Sequence, residues 1–239
     1  MSFGKCDVRL AVTIAAALMG SVSACFRGDA DAGFIRAAEA SQVGSLARAN
    51  SIPVDVETAA ALRYEVAPTG NEVRYRIREQ LARIPLPNDA IGRTGQITGG
   101  ISVATDGAIV VAESKFVVGT GSLASDSDRR DGFVKRRVLE TDQFPTVEFV
   151  PSGARGLPRG LPTTGTHGFE LIGNLTVRGV TRPTRWRVNA TVAGGSVKGR
   201  ASTAFTFADF NIAQPRVPVV LSVADTIRLE YDFSLVAKR

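Results

Sequence analysis

Residues 171–192 read LIGNLTVRGVTRPTRWRVNATV, two apolar–polar alternations flanking a turn that carries Gly and Pro. Alternation with period two turns one face of a strand to an apolar layer and the other to water. In the first run Leu171, Gly173, Leu175 and Val177 share a face, opposite Asn174 and Thr176. In the second, Trp186, Val188, Ala190 and Val192 face one way, and Arg185, Arg187, Asn189 and Thr191 the other. Residues 178–183 supply Gly for a tight backbone and Pro to fix φ before the next strand, so the stretch predicts a hairpin. A chain made of such hairpins must bury one face of its sheet, by stacking two sheets or by closing one.

The pattern recurs from about residue 62 at barrel-like spacing. Strands are predicted at 63–67, around Val73, Tyr75 and Ile77, at 95–104, and at 110–119 after the Asp106-Gly107 hairpin signal. The glycines of 95–104 mark a bend or bulge. Further strands are predicted at 146–150, 168–177, 184–192, 197–208 and 223–237. In the last, Ile227, Leu229, Tyr231, Phe233 and Leu235 oppose Arg228, Glu230, Asp232 and Ser234.

One helix is predicted over 126–139. Asp126 and Asp128 suit its N-terminus and Lys135, Arg136 and Arg137 its C-terminus, as the helix dipole favours. Its RRDGFVKRR run reads first as a solvated face and second as a contact for lipid headgroups. About eight to nine antiparallel strands without βαβ alternation make this an all-β barrel or sandwich. Closure would remove the sheet edges, and eight strands form about the smallest barrel that encloses a ligand.

At 239 residues the chain has room for a full core plus attachments. The N-terminus reads as an attachment. Lys5 and Arg9 precede an apolar run over 10–20, and small residues lead to Val22-Ser23-Ala24-Cys25. That order is a secretory signal over 1–24, with an apolar run too short for a comfortable membrane span. Val22-Ser23-Ala24-Cys25 resembles a relaxed bacterial lipobox, which implies lipid attachment at Cys25. Of the two cysteines, Cys6 would leave with the signal, so the mature chain would keep one thiol, at its first residue. Residues 25–61 read as a lipidated N-terminus and tether, and 62–239 as the barrel domain. The expected location is exported, on the periplasmic or cell-envelope side, held at a membrane by the anchor.

The chemical inventory is thin. A net charge of +6 comes with no nucleic-acid motif, so no nucleic-acid partner is expected. The single histidine, His167, has no nucleophile-elbow sequence to serve. One His without an internal Cys makes a poor metal site, and no phosphate-binding glycine loop is present. No catalytic residue, metal or cofactor is expected. Large apolar residues instead recur on the predicted inner faces: Tyr75, Ile77, Phe116, Phe149, Phe169, Leu171, Trp186, Val188, Phe205, Phe207, Leu229, Tyr231 and Phe233. They either fill a core or surround an elongated apolar cavity, and alternation alone does not choose.

From about Leu62 to Val236 the chain resembles the YceI family, lipocalin-like periplasmic proteins that bind polyisoprenoids or related amphiphiles. GQITGGI at 95–101, Arg130-Asp131, FPTVEF at 144–149, GNLTVRGVTRP at 173–183 and ADFNI at 208–212 carry the resemblance. It implies a closed antiparallel eight-stranded lipocalin-like barrel, one short helix near the mouth and a long apolar tunnel. The implied ligand is a polyisoprenoid or isoprenoid-quinone-like amphiphile, sequestered or ferried without bond chemistry. The family's aspartate-histidine-serine pattern near the first strand and its helix histidine are replaced here by residues 64–71 (YEVAPTGN) and Phe133. The expected partners are that ligand and a membrane, through the anchor; a homodimer stays open. A hydrolase using His167, and an interaction protein with a filled core, are the alternatives.

Overall fold

The computed structural model describes residues 61–82, 85–157, 162–218 and 220–238. The expected signal, Cys25 and the tether to residue 60 lie outside the described residues.

Ten strands form one antiparallel sheet: β1 (Leu62–Val66), β2 (Glu72–Leu81), β3 (Asn88–Thr94), β4 (Ile97–Val103), β5 (Lys115–Gly119), β6 (Thr146–Arg155), β7 (Gly165–Val177), β8 (Val180–Ala193), β9 (Ser196–Thr206) and β10 (Val220–Ala237). Their order is β1-β4-β5-β6-β7-β8-β9-β10, and β10 pairs back onto β1, so the ring closes. The β2–β3 hairpin prolongs this ring at one end. β10 pairs with β1 through Leu235 and with β2 through Asp232, while β4 and β3 accompany β1 and β2 respectively. β1 with β2, and β3 with β4, therefore act as two broken staves of an eight-stranded closed barrel.

The break between β1 and β2 has a specific clamp. Pro68-Thr69-Gly70 turns the chain, with Gly70 at φ +82°. Asn71 then donates from Nδ2 to the Ala67 carbonyl at 2.8 Å. Its Oδ1 accepts from the Tyr231 hydroxyl at 2.8 Å and the Ser234 backbone N–H at 3.0 Å. One side chain thus ties both halves of the stave to β10. In β4, Gly99 sits at φ +105°, and a Cβ there would lie 2.0 Å from the Lys115 carbonyl oxygen, so the expected bend is a glycine position.

The sheet alternates as its sequence requires. Leu175, Val177, Trp186, Val188, Ala190, Ile227, Phe233 and Leu235 are buried inside. On the outer face Arg74 pairs with Glu230 (2.6 Å), Asp232 (2.6 Å) and Glu72 (2.7 Å), a network reaching across β2 and β10. Its hydrogen bond to Glu230 holds that carboxyl below the usual range, and Arg200 together with Arg74 does the same for Asp232.

Several expectations are corrected. β3 carries no strong alternation and was not predicted. The strand expected at 110–119 is shorter: Val111–Glu113 is a 3₁₀ turn, and the buried Ser114 hydroxyl takes up the Val110 carbonyl (2.8 Å) before β5 begins. The turn expected over 178–183 is two residues, Arg178 and Gly179, both at positive φ (49° and 71°). That geometry matches the twist of a two-residue hairpin. Val180 through Pro183 already pair with β7, and Pro183 sits before the stretch where β9 joins β8 at Arg187. There it removes no ladder bond on its open side. The predicted helix splits into α1 (Asp128–Phe133), capped by Ser127, and a π-helical stretch Val134–Leu139 that stops at Glu140 in the left-handed region. The final segment of 197–208 leaves the sheet after Thr206 and forms a 3₁₀ turn, Ala208–Phe210.

Candidate ligand-binding cavity

The barrel interior is hollow, in two lobes. The first, of about 190 Å³, lies within the complete ring and is called the ring lobe. The second, of about 440 Å³, lies between β2, β3, β10, the helical segment and the loop before β10, and is called the helix lobe. Val73, Val118, Val147 and Leu229 line both, so the lobes abut along the barrel axis. The helix lobe falls within the usual 300–1,000 Å³ range for ligand sites, and the ring lobe is a narrower extension of it.

All thirteen expected residues stand on these walls. Phe116, Phe149, Phe169, Leu171, Trp186, Val188, Tyr231 and Phe233 line the ring lobe. Tyr75, Ile77, Phe205 and Phe207 line the helix lobe, and Leu229 lines both. Period two explains the arrangement for twelve of them, each on the inward face of its strand; Phe207 follows β9 and enters from the start of the 3₁₀ turn. Aromatic edges narrow the ring lobe. Phe149 and Trp186 approach to 5.4 Å between ring centroids, and Tyr231 lies 5.7 Å from Phe233 and 6.2 Å from Phe116.

The lobes differ in polarity. In the ring lobe the Trp186 indole N–H donates to Thr184 Oγ1 (3.1 Å) and the Tyr231 hydroxyl to Asn71, so their polar atoms are engaged. Burial raises the pKa of both Tyr64 and Tyr231. The wall of this lobe is almost entirely apolar. The helix lobe carries polar groups at its mouth. Glu79, only 8% exposed, accepts from Arg130 Nη2 at 2.9 Å, and Arg130 also contacts Asp126. Arg129 lines the same lobe and makes no ion pair to any described residue. Burial pushes the Tyr75 hydroxyl up to about 12.

His167 reaches the ring-lobe rim, and its Nε2 contacts the Thr164 carbonyl at 2.9 Å. No hydroxyl or carboxylate partner accompanies it among the described residues. No group of three or more metal-ligating side chains occurs among them either. Cys25 lies outside the described residues.

Among the wall residues that sequence reasoning missed, two sets join or close the lobes. The junction valines Val73, Val118 and Val147 share their strands' inward faces with expected neighbours, but selection by aromatic size passed over them. Phe133, Val134, Val138 and Leu139 of the helical segment, with Ile212, Pro215 and Val217 of the loop, close the helix lobe. Their i, i+1, i+5, i+6 spacing follows the wider π-turn, which ordinary helical periodicity does not reveal.

Two solved structures share this architecture. A polyisoprenoid binding domain from Saccharophagus degradans, implicated in plant cell wall breakdown, is similar with a TM-score of 0.54 and 13% identity, covering 74% of this chain and 99% of that one. Burkholderia cenocepacia BcnA is similar with a TM-score of 0.52 and 14% identity, covering 69% and 95%. No curated protein matches the chain. The sequence profile of the YceI-like domain matches residues 64–235, which is most of the chain and nearly all of the barrel, and the protein belongs to the YceI family.

Proposed function

We propose that this barrel binds one long apolar chain, of the polyisoprenoid or isoprenoid-quinone kind, and sequesters or ferries it without bond chemistry. The observation that carries the reading is the pair of abutting apolar lobes along the barrel axis. The tail threads the helix lobe and ends among the ring-lobe aromatics, while the polar head stays near Arg129, Arg130 and Tyr75. Burial supplies the affinity, at ~0.8 kcal/mol for each CH₂ removed from water, less the cost of ordering the chain. The polyisoprenoid binding domain of similar fold supports this ligand class. A hollow interior speaks against a filled-core interaction protein, and the isolated His167 gives a hydrolase no nucleophile.

The sequence order of charged, apolar and small residues before Cys25 supports a reading of export and lipid attachment, and with it a location on the periplasmic or cell-envelope side. Two attached acyl chains would hold it there stably. Organic extraction of the purified protein followed by mass spectrometry tests the ligand: a prenyl-bearing lipid at near one per chain is expected, and lipid-free protein that also fails to bind added prenyl quinone overturns the reading. Labelling with an alkyne fatty acid tests the anchor separately: signal is expected in the native chain and lost in Cys25→Ser.

A further inference from the structure

We propose that Glu79 makes the helix lobe select prenyl lipids with an uncharged, hydroxyl-bearing head, a prenol or a hydroquinone, over phosphorylated ones. This deepens the ligand reading above and rests on it: the lobes take the tail, and Glu79 sets the class of head.

The pattern of β2 places a carboxylate among inward residues. Tyr75, Ile77, Glu79 and Leu81 follow one another at period two, and all four line the helix lobe. Glu79 is therefore inward and only 8% exposed, whereas Glu72, Arg74, Arg76 and Arg78 take the opposite face of the strand. A buried carboxylate is costly unless its oxygens are answered. Oε1 is answered by Arg130 Nη2 at 2.9 Å. Oε2 accepts no hydrogen bond from a described residue. Asn88 stands directly across the β2–β3 ladder from Glu79, so the two side chains share a face. The buried Asn88 Oδ1 has no hydrogen-bond donor either.

The Tyr75 hydroxyl completes the group. It makes no hydrogen bond to a described residue, and the charges of Arg130, Asp131, Glu79 and Asp126 all act on it. Burial pushes its pKa up to about 12, so it remains an O–H at neutral pH. Other hydroxyls of this wall are engaged within the protein: Thr94 with Ser122 at 2.7 Å, Thr120 with the Pro145 carbonyl at 2.9 Å, and Ser127 with the Arg130 backbone N–H. A ligand O–H thus finds the Glu79 carboxylate to donate to and the Tyr75 phenol to accept from. A quinone carbonyl can use the phenol alone.

Charge argues against a phosphate. Arg130 is shared between Glu79 and Asp126. The charged side chains that line the lobe or act on Tyr75 are three carboxylates, Glu79, Asp126 and Asp131, and two guanidiniums, Arg129 and Arg130. A phosphate seated here would lose water beside a buried carboxylate, with no cationic excess to offset the repulsion.

The test uses the full chain, freed of bound lipid in detergent, and equilibrium binding of a tritiated long-chain prenol. The competitors are the unlabelled prenol, its monophosphate and the parent hydrocarbon, all of one tail length. The native chain should bind the prenol about tenfold or more tighter than the monophosphate. Glu79→Gln, which removes the charge and keeps the size, should bring the two within about threefold. Tyr75→Phe should weaken the prenol more than the hydrocarbon. Monophosphate binding as tight as prenol in the native chain overturns the proposal without any variant, and so does a ratio that Glu79→Gln leaves in place. If the unpaired Arg130 unfolds Glu79→Gln, Glu79→Gln/Arg130→Met removes both charges and is held to the same ratio. In each of these failures the prenol still binds and the cavity reading stands. Failure of all three compounds to bind overturns both.

Discussion

The two halves of the barrel interior are built from the same alternation but closed in different ways. The ring lobe is enclosed by strands paired on both sides, from β1 round to β10. The helix lobe has strand walls on part of its circumference, and helix and loop elsewhere, because β3 meets the chain on its far side at a single bridge, Arg93 to Ala124. A complete hydrogen-bonded ring fixes a narrow aromatic bore. A wall made partly of side-chain contacts leaves a wider space and polar groups at its mouth. The narrow, fully paired bore is one half, and the wider space with polar side chains in its wall is the other.

Truncations should separate the halves most strongly. Leu175, 2% exposed, lines the ring lobe from β7, a strand paired on both sides, so Leu175→Ala should cost about 2–5 kcal/mol in urea unfolding. Leu139 closes the helix lobe from the π-helical stretch, and Leu139→Ala should cost about half as much while raising the off-rate of bound prenyl quinone. Equal costs would mean that both walls are equally well packed.

The stave break is the next point of attack. Asn71→Ala leaves the Tyr231 hydroxyl and the Ser234 N–H without their acceptor, and should cost about 1–3 kcal/mol by thermal or urea unfolding. A neutral result would show that the β1–β2 clamp is dispensable.

Acid titration addresses the outer belt. Glu230 and Asp232 have folded-state values held down by Arg74 and Arg200. Groups depressed on folding contribute stability that is complete above their unfolded values, near 4, and is lost as pH falls through the folded values. Unfolding midpoints should therefore drop below about pH 4, and Arg74→Leu should flatten that drop while lowering stability at neutral pH. An unchanged acid slope in Arg74→Leu would remove the belt from the account.

The smallest effect should come from the pair linking the π-stretch to the β7–β8 turn. Glu140 and Arg178 are both in the left-handed region and pair at 2.7 Å. Arg178→Gln should change global stability by no more than about 1 kcal/mol, as expected of a half-exposed ion pair. Amide exchange over 134–139 should nevertheless speed up, with the ring strands unaffected.

What the sequence made legible follows from the same division. Ring strands alternate strongly because each inward position meets apolar neighbours, so 171–192 and 223–237 were readable at once. β3 was not. Its inward residues are Ala90, Gly92 and Thr94, small because the Tyr75 ring covers the cross-strand position: a Cβ on Gly92 would lie 2.3 Å from it. Filling from the neighbouring strand erases the hydrophobic signal of the filled one. The helix was legible from its charges, but the π-turn that aims Val138 and Leu139 inward left no period to detect. Inward faces were also readable where occupancy was not. Alternation says which side chains point to the axis, while the hollow depends on how far they fall short of meeting across it.

That hollow is measured most directly by titrating Trp186 fluorescence with prenyl quinones of increasing tail length. Two abutting lobes predict affinity that climbs with each added isoprene unit, with quenching of Trp186 appearing only once tails reach the ring lobe, and then a plateau. Affinity and quenching that do not depend on tail length would contradict a continuous apolar bore.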